Sequence, residues 1–392
     1  MSIFNSLGSN YTGGTLRRLF APASSQNGQK LQQYLVDHYE ATDVQVTYKC
    51  REAITLGLRQ LDLPAGSRVA INGFTCYAVY EAIVAAGLLP HYVDITRTDL
   101  NYTAAALGKA IKAEPTIRVA MIQNTFGIPS DVAAIAKVCA AHNVVLVEDL
   151  AHSAGLQYAD GQEAGTVGQW AALSFSQDKM IDAVSGGALV SKQSIPAVTP
   201  KTLSFKKRAA ARWYPLSTWV IRGTFGIGVG RALLKAMKHL QLIPRPMAGS
   251  AGTVHKLSNW SSREALLSQQ DLVRSSVLRK AIASIYSQQL PKDVQFAAES
   301  GAVHLRYPIL VSDRDSLLKF LGKERIYLSD TWYDAAIGPK QYQHLTDYNG
   351  QCPESEYVAE HIVNLPTHQH VTEAKAAVIA EKVNAWLKSV PK

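Results

Sequence analysis

The chain reads as an α/β protein: a mostly parallel central sheet flanked by helices, followed by a smaller C-terminal α+β unit. Three observations carry that reading. In the first half, short apolar runs alternate with stretches of helical period. The runs are apolar throughout, without the in–out alternation of a half-exposed sheet, so both of their faces must be covered, as parallel strands are. The last third changes to long helical stretches around few strands, the pattern of an α+β unit.

The elements follow in order. RVAIN (68–72) predicts a strand and CYAVYEAIVAAG (76–87) a helix stopped by glycine. HYVDI (91–95) predicts a strand, TAAALGKAIKA (103–113) a helix, and IRVAMIQ (117–123) a strand. SDVAAIAKVCAAHN (130–143) predicts a helix with Ser130 or Asp131 near its cap and Asn143 at its end. VVLVED (144–149), AALSFS (171–176) and GALVS (187–191) complete the strands. Beyond them, 262–290 predicts one long helix, LRYPILVS (305–312) a strand and 372–390 a closing helix. The expected division is a large domain over 1–196, a basic insert over 197–256 and a small domain over 257–392. Ligands of parallel sheets bind beyond the carboxyl ends of the strands. Glu148-Asp149 lies at one such end, and Ser174 to Lys179 follows another.

The chain has 392 residues, 47% apolar and 18% charged, which is globular composition. Its first residues lack a basic stretch followed by an apolar one, so no signal peptide is expected. The four cysteines show no CxxC pairing, and we expect a reducing cytoplasm with neither disulfides nor a metal site. The net charge of +9 is uneven: residues 183–263 hold 13 Lys/Arg and no acid, so the remainder is net acidic. Such a block points to an anionic partner.

Three residues carry the chemistry. Singly, Asp149 reads equally as a turn cap, Lys179 as a solvated charge and Ser174 as a polar strand residue. Together they make a pattern: an aspartate ending a strand, a serine ending another, a lysine five residues on, and Gly186-Gly187 opening the next strand. That is the layout of a pyridoxal 5'-phosphate site. Lysine forms a Schiff base with the cofactor aldehyde, aspartate keeps the pyridine nitrogen protonated, and hydroxyls with a helix N-terminus hold the phosphate.

The stretch VVLVEDLAHSAG…GTVGQWAALSFSQDKMIDAVSGGALV resembles the DegT/DnrJ/EryC1/StrS family of sugar aminotransferases, which have the aspartate-aminotransferase fold (fold type I of the pyridoxal-phosphate enzymes). That family reads approximately V-x-E-D-x-A-(Q/H)-x-x-G, then S-F-x-x-x-K, then G-E-G-G. Residues 62–95, 122–143 and 352–372 resemble further family blocks, and the likeness runs over roughly 30–195 and 257–390. The resemblance implies Lys179 as the Schiff-base lysine and Asp149 as the partner of the pyridine nitrogen. It implies His152 beside the ring and Ser174 on the phosphate. The family's glycine-threonine at the phosphate helix is Cys50-Arg51 here, where Arg51 either binds phosphate or is an exposed arginine. Its aromatic ring over the cofactor falls at Cys76, which cannot stack, so either His152 suffices or Tyr77 substitutes. Asn259 is the candidate for the asparagine that reaches the partner subunit's phosphate. The family's dehydratase branch has histidine in place of the lysine, so Lys179 favours transamination.

The resemblance therefore implies a homodimeric aminotransferase with a keto-sugar acceptor, nucleotide- or lipid-linked, and glutamate as donor. A non-catalytic member that binds a partner, and a sugar dehydratase, are the alternatives. The insert has no counterpart in the family pattern. Its segment 213–243 is amphipathic, aromatic and basic, and too interrupted by charge, Pro215 and glycines for a membrane span. It reads either as a surface for an anionic membrane through 205–245, peripheral at the inner face, or as a helical cover packed on protein, over the active site or the dimer interface. FGIGVGR does not match G-x-G-x-x-G and follows no strand, so no dinucleotide site is expected. No nucleic-acid module is recognisable, and no nucleic acid is expected as partner.

Overall fold

The computed structural model describes residues 2–247, 251–296, 301–328 and 332–389. The last residue of the expected closing helix, 390, lies outside them. Seven strands form the central sheet: β1 (Asp43–Thr47), β2 (Arg68–Asn72), β3 (Leu89–Val93), β4 (Ile117–Ile122), β5 (Val145–Asp149), β6 (Trp170–Ser174) and β7 (Gly187–Ser191). Their order across the sheet is β1-β7-β6-β5-β4-β2-β3. From β6 through β3 all neighbours are parallel, while β7 runs antiparallel to both β6 and β1.

The exception has a physical cause. A parallel return needs a crossover of a dozen or more residues, usually a helix. Between β6 and β7 the twelve-residue loop 175–186 carries no helix that could cross over the sheet and lead the chain back, and it turns at the carboxyl edge of β6. Lys179 lies on that loop. The strands β6 and β7 are buried at every position, as their unbroken apolar sequences require. One sheet face packs against Leu31, Leu35, Ile135 and Leu272, and the other against Ile54, Leu58, Val79 and Ile83.

The expected elements up to β7 appear within a few residues of their predicted bounds. Asp131, not Ser130, caps the helix Val132–Ala141, accepting from the Ala134 N–H. One expectation is corrected: 262–290 is two helices, Asn259–Gln270 and Leu272–Gln289, divided at Asp271. Asp271 caps the first helix and opens the second with φ −90° and ψ 3°. Aspartate is a poor interior residue because its short carboxylate competes for backbone groups.

The C-terminal part pairs β8 (Tyr307–Leu310) with β9 (Ile362–Leu365) antiparallel, and covers them with the helices Leu272–Gln289, Arg314–Lys323 and Glu373–Ser389. Its short strand Ile337–Gly338 reaches back to pair with Thr75–Cys76, beside the carboxyl edge of the large sheet. The insert is a helical hairpin, Phe205–Thr224 and Val229–His239. Its turn uses the glycines of FGIGVGR: a Cβ on Gly230 would sit 2.2 Å from the Ile221 carbonyl oxygen, so only glycine admits that approach.

Candidate active site

At the carboxyl edge of β5 and β6 lies a cavity of about 420 Å³ whose walls include Cys50, Arg51, Cys76, Asp149, His152, Ser174 and Lys179. Seven of the eight residues proposed from sequence thus meet in one place. Asn259 does not. It opens the helix Asn259–Gln270, and its carbonyl accepts from Asn27 Nδ2 at 3.2 Å.

Neighbouring carboxylates divide their work because successive strand residues face opposite sides. Glu148 accepts the N–H groups of Gly165, Val167 and Gly168 and the Tyr158 hydroxyl, and so anchors the loop 150–169. Asp149 lines the cavity. Among the described residues its Oδ1 accepts only the Ala151 N–H, at 2.9 Å. Burial lifts its pKa to about 6, against the pull of that N–H and of Lys179. A desolvated carboxylate with spare lone pairs is a receptor for a cationic N–H.

Lys179 is half-buried, with its Nζ 4.0 Å from the centre of the Trp332 ring. Desolvation lowers its pKa from the ordinary lysine value; the Arg306 charge adds to this, and Cys76, Asp149 and Cys50 oppose it. A larger neutral fraction makes the amine a better nucleophile.

The N-terminal segment grips the Lys179 loop. Asn10 Nδ2 donates to the Lys179 carbonyl at 2.9 Å and to Asp182 Oδ2 at 3.1 Å, while Asn10 Oδ1 accepts from Arg279 Nη2 at 2.9 Å. Asp182 also gathers the Tyr11 hydroxyl and the N–H groups of Asp178 and Val184. These bonds hold Asp178 (φ 61°) and Val184 (φ 68°) in the left-handed region that such residues rarely adopt.

His152 stands between Phe126 and Trp332, with ring centroids 5.5 and 5.4 Å away and planes nearly parallel. Its Nδ1 accepts the Phe126 N–H and its Nε2 meets the Tyr333 hydroxyl, both at 3.2 Å. Burial holds its pKa well below the usual histidine range. The ring is therefore neutral, with its proton on Nε2. Cys76 caps the helix Tyr77–Ala85, its Sγ 4.0 Å from Met247 Sδ. Tyr77 is not a wall of the cavity and stacks instead on Tyr342, at 5.2 Å.

Arg51 is buried, not exposed. Its guanidinium pairs with Glu81 and bonds the Pro246 carbonyl at 2.6 Å. Lys49, just before it, is also buried, and desolvation lowers its pKa to about 7. The helix Cys50–Arg59 has no side-chain cap. Its first residues, Cys50 and Arg51, wall the cavity together with Ser174, and a helix N-terminus there is a candidate anion seat.

The model of the DegT/DnrJ/EryC1/StrS aminotransferase family matches residues 22–384. The chain belongs to this family. A UDP-N-acetyl-3-dehydro-α-D-glucosamine 3-aminotransferase from Acidithiobacillus ferrooxidans is 24% identical over 340 residues, 86% of this chain and 82% of that protein. GDP-perosamine synthase of Vibrio cholerae is 27% identical over 220 residues, 53% of this chain and 59% of that enzyme. The solved structure of the Helicobacter pylori aminotransferase PseC, involved in pseudoaminic acid biosynthesis, has the same fold: TM-score 0.74 over the full length of both chains at 17% identity.

Pyridoxal phosphate is the cofactor of this aminotransferase. The site suits it on its own chemistry. Asp149 has an unused acceptor for the pyridinium N–H, Lys179 is desolvated, and the uncapped helix start with Ser174 would take the phosphate. Sequence reasoning missed Trp332, Tyr333, Gln123, Lys49, Gln177 and the insert's Pro246 and Met247, all of them cavity walls. Only the aromatic pair Trp332-Tyr333 carried a local signal, a bulky doublet in a stretch without periodicity.

Proposed function

We propose that this aminotransferase passes an amino group from glutamate to a keto-sugar carried on a nucleotide or lipid phosphate, in the making of a cell-surface polysaccharide or a secondary metabolite. One observation carries the proposal. The Lys179 cavity continues past Gln177, Pro246, Met247 and Trp332 into a second chamber of about 680 Å³. Phe4, Tyr214, Tyr327 and Tyr342 wall that chamber, with Lys238 and Arg245 on the insert's side. A chamber this large suits an acceptor far bigger than an amino acid, and the two cations suit a phosphate. The relatives' sugar substrates support the same reading.

When bound, the cofactor supplies the electron sink that lets a Cα–H bond break. The protein's residues do the rest. Asp149 holds the ring nitrogen protonated. Ser174 and the start of the helix Cys50–Arg59 fix the phosphate, and His152 flanks the ring as a neutral imidazole. Lys179 Nζ would act as the general base that takes the proton from the donor's Cα and as the general acid that gives it back. Asn259, away from its own cavity, suits a homodimer in which it serves the partner's site.

The test is direct. Purified protein with pyridoxal phosphate should absorb near the visible edge and release 2-oxoglutarate from glutamate. Lys179→Ala should lose both. A colourless protein that releases no 2-oxoglutarate would overturn catalysis and leave the non-catalytic alternative. A dehydrated, amine-free sugar product would favour the dehydratase.

A further inference from the structure

The insert hairpin has an inner face that the fold explains and an outer face that it does not. In the helix Phe205–Thr224, Ala211, Tyr214, Thr218 and Ile221 are buried. Tyr214 packs edge-on against Tyr11, and the cluster includes Val184 of the Lys179 loop. At about 100° per residue, Trp213 and Trp219 return to within about 80° and 40° of Phe205, on the side away from that packed face. Phe205, Trp219, Ile227, Val229 and Leu240 are each more than half exposed. Single exposed apolar residues are ordinary, but five on one hairpin need an explanation.

Charge narrows the occupant. Lys206, Lys207, Arg208, Lys235 and Lys238 are exposed on the same hairpin, and none has an acidic partner among the described residues. The whole stretch 183–263 has no acid of its own. Protein–protein patches lose lysine at their centres. Interfacial membrane helices combine aromatic and aliphatic side chains at the acyl boundary with lysine and arginine at the headgroups. Among the described residues no helix is long and apolar enough to cross a membrane. The features that suit the surface of a bilayer are thus present without those that suit a span.

We propose that the hairpin 205–240 docks this enzyme on an anionic lipid surface, with Trp219 and Ile227 entering the acyl boundary and Lys206, Arg208 and Lys235 lying on the headgroups. The chain leads directly from the hairpin into Arg245, Pro246 and Met247, which wall the two chambers. Docking would therefore bring the acceptor chamber close to the lipid surface. The proposal does not rest on the identity of the acceptor.

The test uses the full chain loaded with pyridoxal phosphate and sedimented with vesicles. One set is phosphatidylcholine alone, and the other is three parts phosphatidylcholine to one part phosphatidylglycerol. The bound fraction with anionic vesicles should correspond to roughly tenfold or greater preference, and should fall as salt is raised. A Trp219→Ser/Ile227→Ser variant and a Lys206→Gln/Arg208→Gln/Lys235→Gln variant should each lose most of that binding while keeping the cofactor absorbance of the parent. The proposal fails if the parent binds neither vesicle, binds both equally, or binds as before in both variants. It fails equally if Trp219→Ser/Ile227→Ser breaks an oligomer in sedimentation velocity while vesicle binding persists, since a second copy would then cover the face.

Discussion

Replacing Gly187 with alanine tests the proposal that the start of the helix Cys50–Arg59 seats the cofactor's phosphate. Gly187 opens β7, where the sheet meets the first turn of the helix Cys50–Arg59. A Cβ there would lie 2.6 Å from the Cys50 nitrogen, 2.7 Å from its Cα and 2.8 Å from the Leu173 carbonyl oxygen. Comfortable contacts are about 3.5–4.0 Å. All three atoms are backbone, so no rotamer change relieves the clash, and the helix start must retreat by about 1 Å. Overpacking of this kind costs about 1–3 kcal/mol of stability. The same retreat draws the helix's first N–H groups away from Ser174. A hydrogen bond stretched by about 1 Å is lost, and one to a charged phosphate is worth about 1.5–3 kcal/mol. Pyridoxal phosphate should therefore bind the Gly187→Ala variant roughly 10–100-fold more weakly. Absorbance titration measures the affinity, and thermal unfolding without cofactor measures the stability. Gly186→Ala is the control: φ +137° makes alanine strained there too, but the nearest atoms are side chains of Phe175 and Leu257, not the helix. It should cost stability with a smaller change in affinity. A folded Gly187→Ala variant with the parent's affinity would refute the assignment of the helix start as phosphate seat.

Two further predictions follow from the same geometry. Asp149 has a folded pKa raised by burial to about 6 from 3.8. A carboxyl raised in this way contributes stability below its unfolded pKa, and that contribution is lost as pH rises through about 6. The shift corresponds to roughly 3 kcal/mol. In urea unfolding without cofactor, Asp149→Asn should therefore be more stable than the parent near pH 8, with the advantage shrinking towards pH 4. A pH-independent difference would contradict this. Asn10→Ala removes the donor to the Lys179 carbonyl and to Asp182, and the acceptor for Arg279, whose Nε has no partner among the described residues. It should cost about 2–4 kcal/mol, seen as a lower urea midpoint at unchanged slope, and should slow borohydride trapping of the lysine-bound cofactor. An unchanged midpoint would mean that the N-terminal segment does not secure the loop.

The sequence by itself determined six of the sheet's seven strands, all but Asp43–Thr47, the placement of Lys179, Asp149 and Ser174 at its carboxyl edge, and the family. Each of these depends on local order. Apolar runs set the strands, and Lys179 lies at the edge because it directly follows one of them. The tertiary structure decided what surrounds them. Asn10 lies 169 residues from the carbonyl it holds, and Trp332 comes to the cavity because Ile337–Gly338 pairs with Thr75–Cys76. Arg51 had two readings from sequence. Folding buried it against Glu81 and the Pro246 carbonyl, a pairing no spacing in the chain could announce. The division has a physical reason: periodicity and turn chemistry act over a few residues, whereas hydrogen-bond partners and stacked rings are chosen by which distant segments the closed core brings together.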